Sequence, residues 1–184
     1  MTTSSRQSKE MATALKFLEC MLKYQQINNI KQQCMVNAQF LRNYFIEIRG
    51  SPVVKPTICV GIKNGCTVTI PAHLTILIDG ILIDPSYEFQ SIENKVYLHS
   101  IDEFVEFCKI NEYDVTESPG FKYQMANFLR FVESAKRMNN GEQLPLTKYY
   151  NKLGKYVENI MRKWRNNPNN IDYSLTSKSI FDVM

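Results

Sequence analysis

Three residues of this chain carry the side chains that cysteine-dependent acyl chemistry needs: Cys34, His73 and Asp84. A thiolate is a strong nucleophile, and an imidazole transfers protons near neutral pH. A carboxylate beside that imidazole holds it in one tautomer and stabilises its cation. The three residues are far apart in the sequence, so this chemistry requires a fold that brings them together.

The segment from Ala72 to Ser86 predicts a β-hairpin in which His73 and Asp84 lie on one face. Asp79 and Gly80 are a typical two-residue hairpin turn, and the runs on either side are rich in isoleucine. Side chains alternate across a strand, so one face is apolar and faces the core. That face carries Leu74, Ile76, Ile78, Ile81 and Ile83. The other carries His73, Thr75, Leu77, Leu82, Asp84 and Ser86. His73 and Asp84 are then diagonal neighbours, about 7–8 Å apart at the backbone.

Cys34 lies at the start of a predicted helix that runs to about Ile48 and stops before Gly50. The unpaired N–H groups and the positive end of the helix dipole favour a thiolate there, and the backbone N–H of Cys34 would point toward an oxyanion. Each of the three residues also has a simpler interpretation. Cys34 falls on the apolar stripe of its helix and is explained by core packing, His73 by a strand end, and Asp84 by the Asp-Pro-Ser turn.

Taken together, these residues resemble the transglutaminase-like core of the papain-like cysteine hydrolase superfamily. The matching pieces are Gln33-Cys34-Met-Val-Asn-Ala38, Ala72-His73 and Asp84-Pro85-Ser86, over about residues 25 to 90. The resemblance implies that Cys34 is the nucleophile, His73 the general base and Asp84 the orienting acid. It also implies an amide side chain in the oxyanion hole. The candidates for it are Gln32, Gln33, Gln26 and Asn28.

The chain departs from the family pattern in two respects. The chain has Met35 where the family commonly has an aromatic residue after the cysteine. It has Leu74 and Thr75 where the family commonly has a tryptophan shortly after the histidine.

The remaining patterns predict an α+β fold, in which a small antiparallel sheet of three or four strands packs against N-terminal helices and the C-terminal third is helical. Helices are expected at about 8–27 with Ser8 as the cap, 34–48, 100–110 after a capping box from Ser100 to Glu103, 122–138 and 147–164. Strands are expected at about 56–63, 66–70, 73–78 and 81–84. We expect one domain at 8–165, with a core at about 25–90, a helical part at about 100–165, and a polar tail at 166–184 of a composition typical of disorder.

Composition indicates the cellular location to expect for the protein and the state of its cysteines. The chain has 184 residues and is 44% hydrophobic, with no apolar run long enough to span a membrane and no apolar signal core at its start. Five scattered cysteines and two histidines favour free thiols and argue against a disulfide framework or a zinc site, so neither metal nor cofactor is expected. We expect an intracellular, cytoplasmic protein, in the host cytoplasm or the virion if it is viral.

The C-terminal third is basic, although the net charge of the chain is only +4. Eight basic and two acidic residues lie between Lys136 and Arg165. The cations of the last predicted helix are Lys148, Lys152, Lys155, Arg162, Lys163 and Arg165. They form either the solvated face of an amphipathic helix or a surface for nucleic acid. Tyr149, Tyr150 and Trp164 would stack on bases in the second case, although their spacing favours the core.

These observations predict a cysteine-nucleophile hydrolase or acyl transferase of the peptidase, amidase or transglutaminase type. Its substrate would be a peptide, a protein or a small amide. Two alternatives remain: a non-catalytic binding module that uses the basic helix to contact nucleic acid or an acidic partner, and a degenerate member of the same superfamily that serves as an interaction protein.

Overall fold

A computed structural model describes residues 3–49, 51–112 and 119–167 of the chain, and these form an α+β fold. The helices are α1 (Thr3–Ile27), α2 (Cys34–Arg49), α3 (Ile101–Ile110), α4 (Pro119–Asn139) and α5 (Lys148–Arg165). The strands are β1 (Val53–Lys63), β2 (Cys66–Ile78), β3 (Ile81–Ile83) and β4 (Glu93–Leu98), with a 3-10 turn at Tyr87–Phe89. They form one antiparallel sheet in the order β3-β2-β1-β4.

The hairpin of β2 and β3 has the predicted register. Ile78 pairs with Ile81 and Ile76 with Ile83, on either side of the turn. Asp79 and Gly80 both have positive φ, at 51° and 79°, which is the backbone conformation of a two-residue turn that matches the twist of the strands. Asparagine, aspartate and glycine tolerate this conformation, so the local sequence is sufficient to specify the hairpin.

Several helices and strands differ from the prediction. Helix α1 begins at Thr3, so Ser8 lies inside the helix and is not its cap. The two strands expected at 66–70 and 73–78 are one continuous strand, β2. Helix α4 begins at Pro119, three residues early, because proline is favoured at the first position of a helix. Strand β4 is not among the four predicted strands, and the sheet still has four strands because two of the predicted ones are joined in β2.

The capping box before α3 is only half formed. The Ser100 hydroxyl accepts a hydrogen bond from the Glu103 N–H at 3.0 Å, as expected. The Glu103 carboxylate accepts from the N–H of His99 at 2.7 Å, and not from that of Ser100. The predicted tail begins at Asn166, and all of it after Asn167 lies outside the described residues.

One layer of helices covers one face of the sheet. Helices α2 and α4 pack against β1 and β2, and α1 packs on α2 and α5. The main core lies between these layers and includes Met21, Leu41, Ile76, Met138 and Leu153, all essentially inaccessible to water. A second apolar cluster lies where β1 and β4 meet α3 and α4, centred on Ile58 and Phe104. The predicted core face of the hairpin therefore faces the helices.

Strand β4 pairs closely with β1 at Gly61. A Cβ atom at that position would lie 2.7 Å from the carbonyl oxygen of Glu93, which is too close for any other residue type. Since glycine has no Cβ, the chain around Ile92 and Glu93 can pack directly on the β1 backbone.

Candidate functional site

His73 is placed by an irregularity in the middle of β2. Thr57 of β1 pairs with His73, but Cys59 pairs with Ile70, so the β1 residue between them faces two residues of β2, Pro71 and Ala72. This is a β-bulge, and proline fits it because proline has no N–H to give to the ladder. The extra residue reverses the alternation, so His73 shares a face with Ile70 and not with Thr69.

Asp84 follows directly after β3, on the face that the hairpin prediction gave it. Its Oδ2 lies 2.9 Å from Nε2 of His73. The carboxylate also accepts two hydrogen bonds, from the N–H of Ser86 to Oδ1 at 2.9 Å and from the hydroxyl of Tyr97 to Oδ2 at 2.9 Å. The structure thus brings the predicted histidine and aspartate into contact, and it adds Tyr97, which lies on the strand that the sequence did not reveal.

The ring of His73 is fully buried, at 0% exposure, with the ring of Phe89 packed on it at a centroid distance of 4.1 Å. Burial disfavours the imidazolium, but the nearby charge of Asp84, with a smaller effect of Cys34, outweighs it and raises the pKa of His73 to about 9. The ring nitrogens are nevertheless poorly aligned with their neighbours. Neither has a hydrogen bond of normal geometry, so the 2.9 Å contact with Asp84 is a close but badly directed one.

Cys34 is the first residue of α2, as predicted, and its thiol lies beside His73. The Cys34 Sγ is 3.9 Å from the carbonyl oxygen of Ala72, the residue before His73. The first hydrogen bond of the helix runs from the N–H of Asn37 to the carbonyl of Gln33 at 2.8 Å. The N–H groups of Cys34, Met35 and Val36 therefore precede it, as the first N–H groups of a helix do. Cys34 is 6% exposed, so both the packing and the chemical interpretation of this residue remain compatible with its position.

A cluster of buried amides holds the loop after Asp84, and sequence analysis missed it. Gln25 is 1% exposed; its Nε2 donates to the carbonyl of Pro85 at 2.8 Å, and its Oε1 accepts from the N–H of Tyr87 at 2.9 Å. Asn37 links Gln25 to the hydroxyl of Ser86, with both bonds at 3.2 Å. Gln25 follows the buried positions Leu18 and Met21 at helical spacing, which was the available signal.

The Asn37 amide also joins this cluster to α5. Its Oδ1 accepts a hydrogen bond of 2.6 Å from the hydroxyl of Tyr149. Tyr149 therefore packs against the core, as its spacing predicted, and Leu153, Val157 and Met161 are buried on the same helix.

The loop between α1 and α2 contains the four amide candidates for an oxyanion hole. Helix α1 ends where Asn29 takes a positive φ of 48° and the N–H of Ile30 bonds the carbonyl of Gln25 at 2.9 Å, which is a common helix stop. The side chain of Asn28 donates to the carbonyl of Tyr24 and is exposed. Gln26 and Gln32 are exposed and Gln33 is half-buried.

None of these four amide side chains has a hydrogen bond to Cys34 or His73 within the described ranges. The backbone N–H groups at the start of α2 lie next to Cys34 in the chain, so they are further donors near the thiol beside the four amide candidates.

The other cysteines are not part of this group. Cys20 and Cys108 are buried in the core, and Cys66 is exposed beside the turn at Asn64 and Gly65. Burial, and then the charge of Asp84, raise the pKa of the Cys59 thiol to about 12. Within the part of the chain that the structure describes, no three His, Cys, Asp or Glu side chains form a group that could hold a metal ion.

The six cations predicted as a binding surface are all exposed on α5. They are Lys148, Lys152, Lys155, Arg162, Lys163 and Arg165. Within the described ranges, no helix combines the length and apolarity needed to cross a bilayer.

A scan against protein-family models found no match, and searches of curated proteins and of solved structures found none either. The arrangement of Cys34, His73 and Asp84 is therefore the ground on which a function must be argued.

Proposed function

We propose that this protein is a cysteine-nucleophile hydrolase or acyl transferase, with a papain-like or transglutaminase-like core, that acts on an amide or related acyl bond of a peptide, a protein or a small amide. The observation that carries the proposal is the contact of the buried His73 imidazole with the Asp84 carboxylate, together with the position of the Cys34 thiol near that ring at the start of a helix. Peptidases, amidases and transglutaminases share this combination of groups.

The raised pKa of His73, which Asp84 produces against the effect of burial, supports an imidazolium next to Cys34 at neutral pH. An adjacent imidazolium favours the thiolate form of a cysteine. In the proposed reaction this thiolate attacks the carbonyl carbon of the substrate, and the electron pair of the C=O bond moves to oxygen. The N–H groups in the first turn of α2 stabilise the resulting oxyanion.

Collapse of the tetrahedral intermediate breaks the bond to the leaving nitrogen, which takes the proton from His73. The acyl group is then held as a thioester on Cys34. Neutral His73 next accepts a proton from water or from an acceptor amine as that nucleophile attacks the thioester. Cys34 leaves as a thiolate, and the imidazolium is restored.

Substrate entry requires the site to open, because Cys34 and His73 are almost completely covered in this structure. The turn Tyr87–Phe89 is part of the cover, since Phe89 packs on the His73 ring. The same turn is tied to the α1–α2 loop by a hydrogen bond of 2.8 Å from the N–H of Gln32 to the Glu88 carboxylate. Separation of this turn from the loop is the local movement that the proposal requires.

The proposal is tested by limiting alkylation with iodoacetamide at about pH 6.5, where ordinary thiols are mostly protonated. Peptide mapping then compares the rate at Cys34 with the rates at Cys66 and Cys59. Cys66 is an exposed thiol and Cys59 a buried one, so they are matched controls for access. We expect Cys34 to react fastest although it is buried, because the imidazolium stabilises its thiolate.

The variant His73→Gln separates activation of the thiol from its accessibility. It should slow alkylation of Cys34 by at least about tenfold and leave Cys66 unchanged, because only Cys34 loses an imidazolium neighbour. If Cys34 in the unaltered protein reacts no faster than Cys66, the proposed nucleophile is wrong.

A second candidate function is a non-catalytic module that binds nucleic acid or an acidic partner. It is favoured by the exposed positions of the α5 cations, in contrast to the nearly complete burial of Cys34 and His73. Retention on heparin that falls steeply with salt, and that is lost when Lys148, Lys152 and Lys155 are changed to glutamate, would support it. No retention at low salt would exclude it.

A further inference from the structure

Tyr97 reaches the centre of the candidate site from β4. It pairs directly with Cys59, and Cys59 and Thr57 lie on the face of β1 to which His73 also belongs. From there its hydroxyl donates to Oδ2 of Asp84 at 2.9 Å, and Oδ2 is the same atom that lies 2.9 Å from Nε2 of His73.

The directed hydrogen bonds on Asp84 come from groups other than the histidine. Ser86 donates to Oδ1 and Tyr97 to Oδ2, both at 2.9 Å, whereas neither ring nitrogen of His73 has a well-directed partner. Burial, and then the negative charge of Asp84, raise the pKa of the Tyr97 phenol well above its ordinary value. The hydroxyl therefore stays protonated and remains a donor throughout the normal pH range.

We propose that Tyr97 is a positioning residue of this site, whose hydroxyl fixes the carboxylate of Asp84 and weakens the hold of that carboxylate on His73, so that the ring stays available to Cys34. The consequence for catalysis rests on the proposed function, but the effect on His73 does not. A carboxylate oxygen that already accepts a hydrogen bond is a weaker acceptor for a second donor, because the first bond draws on its negative charge.

The ionisable groups around this contact are few within the described part of the chain. Asp84 and Cys34 influence the pKa of His73, and Asp84 and Cys59 influence the pKa of Tyr97. The positive charge of Lys95, also on β4, acts to lower the pKa of Cys59. Of these, Asp84 is the one group that Tyr97 and His73 share, so a change at Tyr97 is expected to reach His73 through Asp84.

The test is the variant Tyr97→Phe, with the pKa of His73 measured from the Cε1–H resonance in an NMR titration. The chain has two histidines, and the variant His99→Gln assigns the signals. Loss of the hydroxyl should raise the pKa of His73 by about half a unit to one unit. The matched control is Tyr123→Phe, because Tyr123 is 72% exposed and lies on α4; it should leave the titration unchanged. An unchanged or lowered pKa in Tyr97→Phe overturns the proposal, since a purely structural tyrosine would not raise it.

If Tyr97→Phe does not fold, an NMR measurement on the unaltered protein provides the test. A hydroxyl proton held between Tyr97 and Asp84 should exchange slowly with water and give a resolved downfield resonance with a nuclear Overhauser effect to the Tyr97 ring. Absence of that resonance at low temperature, under conditions in which buried amide protons are observed, overturns the proposal.

The two proposals fail separately. Equal alkylation of Cys34 and Cys66, together with a shifted His73 pKa in Tyr97→Phe, would refute the enzyme and keep the positioning role. Fast alkylation of Cys34 with no shift would refute the positioning role alone.

Discussion

On one face of β2, Leu74 and Ile76 pack against helices and have no side-chain polar atom to satisfy; on the other, His73 and Thr75 are just as inaccessible to water. The polar pair is held by specific partners, His73 by Asp84 and Thr75 by the hydroxyl of Thr57 at 2.9 Å. The apolar face depends on contact area, which any side chain of suitable volume provides. The polar face depends on partners and on protonation, since a buried polar group without a partner is costly.

This difference separates stability from chemistry within a single strand. The apolar face should respond to lost volume in the same way at every pH. The polar face should respond according to which partner is removed and to whether His73 carries a proton. Substitutions on the two faces therefore test whether His73 and Asp84 form a charged pair or whether the polar face only contributes packing.

The largest effect is expected for Ile76→Ala on the apolar face. Ile76 is fully buried in the main core, so its truncation leaves a cavity and should lower the free energy of unfolding by about 2–5 kcal/mol. Urea denaturation at pH 6 and pH 9 should give the same loss. A loss that changes strongly with pH would show that the apolar face is coupled to the charged pair.

The variant Asp84→Asn tests the polar face. In the unaltered protein the pKa of His73 is raised from 6.5 to about 9, so its contribution to stability is complete below about pH 6.5 and is lost as pH rises through about 9. Without the Asp84 charge, burial lowers the pKa of His73 instead. The variant should therefore be destabilised by about 2–3 kcal/mol at pH 6 and by much less at pH 10.

Urea denaturation of both proteins at pH 6, 8 and 10 measures this difference, with the thiols kept reduced. A loss of equal size at all three pH values would mean that His73 is not protonated beside Asp84 in the folded protein.

The smallest effect is expected for Thr75→Val, which changes the polar face without touching the charged pair. Valine has nearly the shape of threonine, and the Thr57 hydroxyl still has the carbonyl of Lys55 as an acceptor at 3.2 Å. We expect a loss of less than about 1 kcal/mol in the free energy of unfolding and no change in the His73 titration. A shift in that titration would show that the threonine pair, and not Asp84 alone, sets the protonation of His73.

Local sequence was sufficient where neighbouring residues decide the structure. The Asp79–Gly80 turn specified the register of β2 and β3, because the two strands meet within a few residues of the turn. The contact of His73 with Asp84 followed from that register. The start of α2 at Cys34 followed from its apolar periodicity. Sequence analysis therefore placed these side chains correctly, whereas the catalytic roles of Cys34, His73 and Asp84 remain predictions.

Other parts of the site depended on residues that are distant in the sequence. The pattern of Glu93 to Leu98 is polar and poor in β-branched residues, so it does not predict a strand. It becomes one because it pairs with β1, where Gly61 allows the close approach. Tyr97 was missed for that reason. Likewise, helical spacing places Gln25 on the buried face of α1, but its partners in the loop after Asp84 depend on how α1 packs against that loop.

The amino-acid sequence by itself determined the α+β class, the hairpin, the helix start at Cys34 and the shared face of His73 and Asp84. The physical reason is that turns and side-chain periodicity depend on near neighbours. The tertiary structure decided the bulge at Pro71 and Ala72, the strand that carries Tyr97, and the buried amides around Gln25. These depend on which strand pairs with which and on which polar groups lose contact with water, and distant parts of the chain settle both.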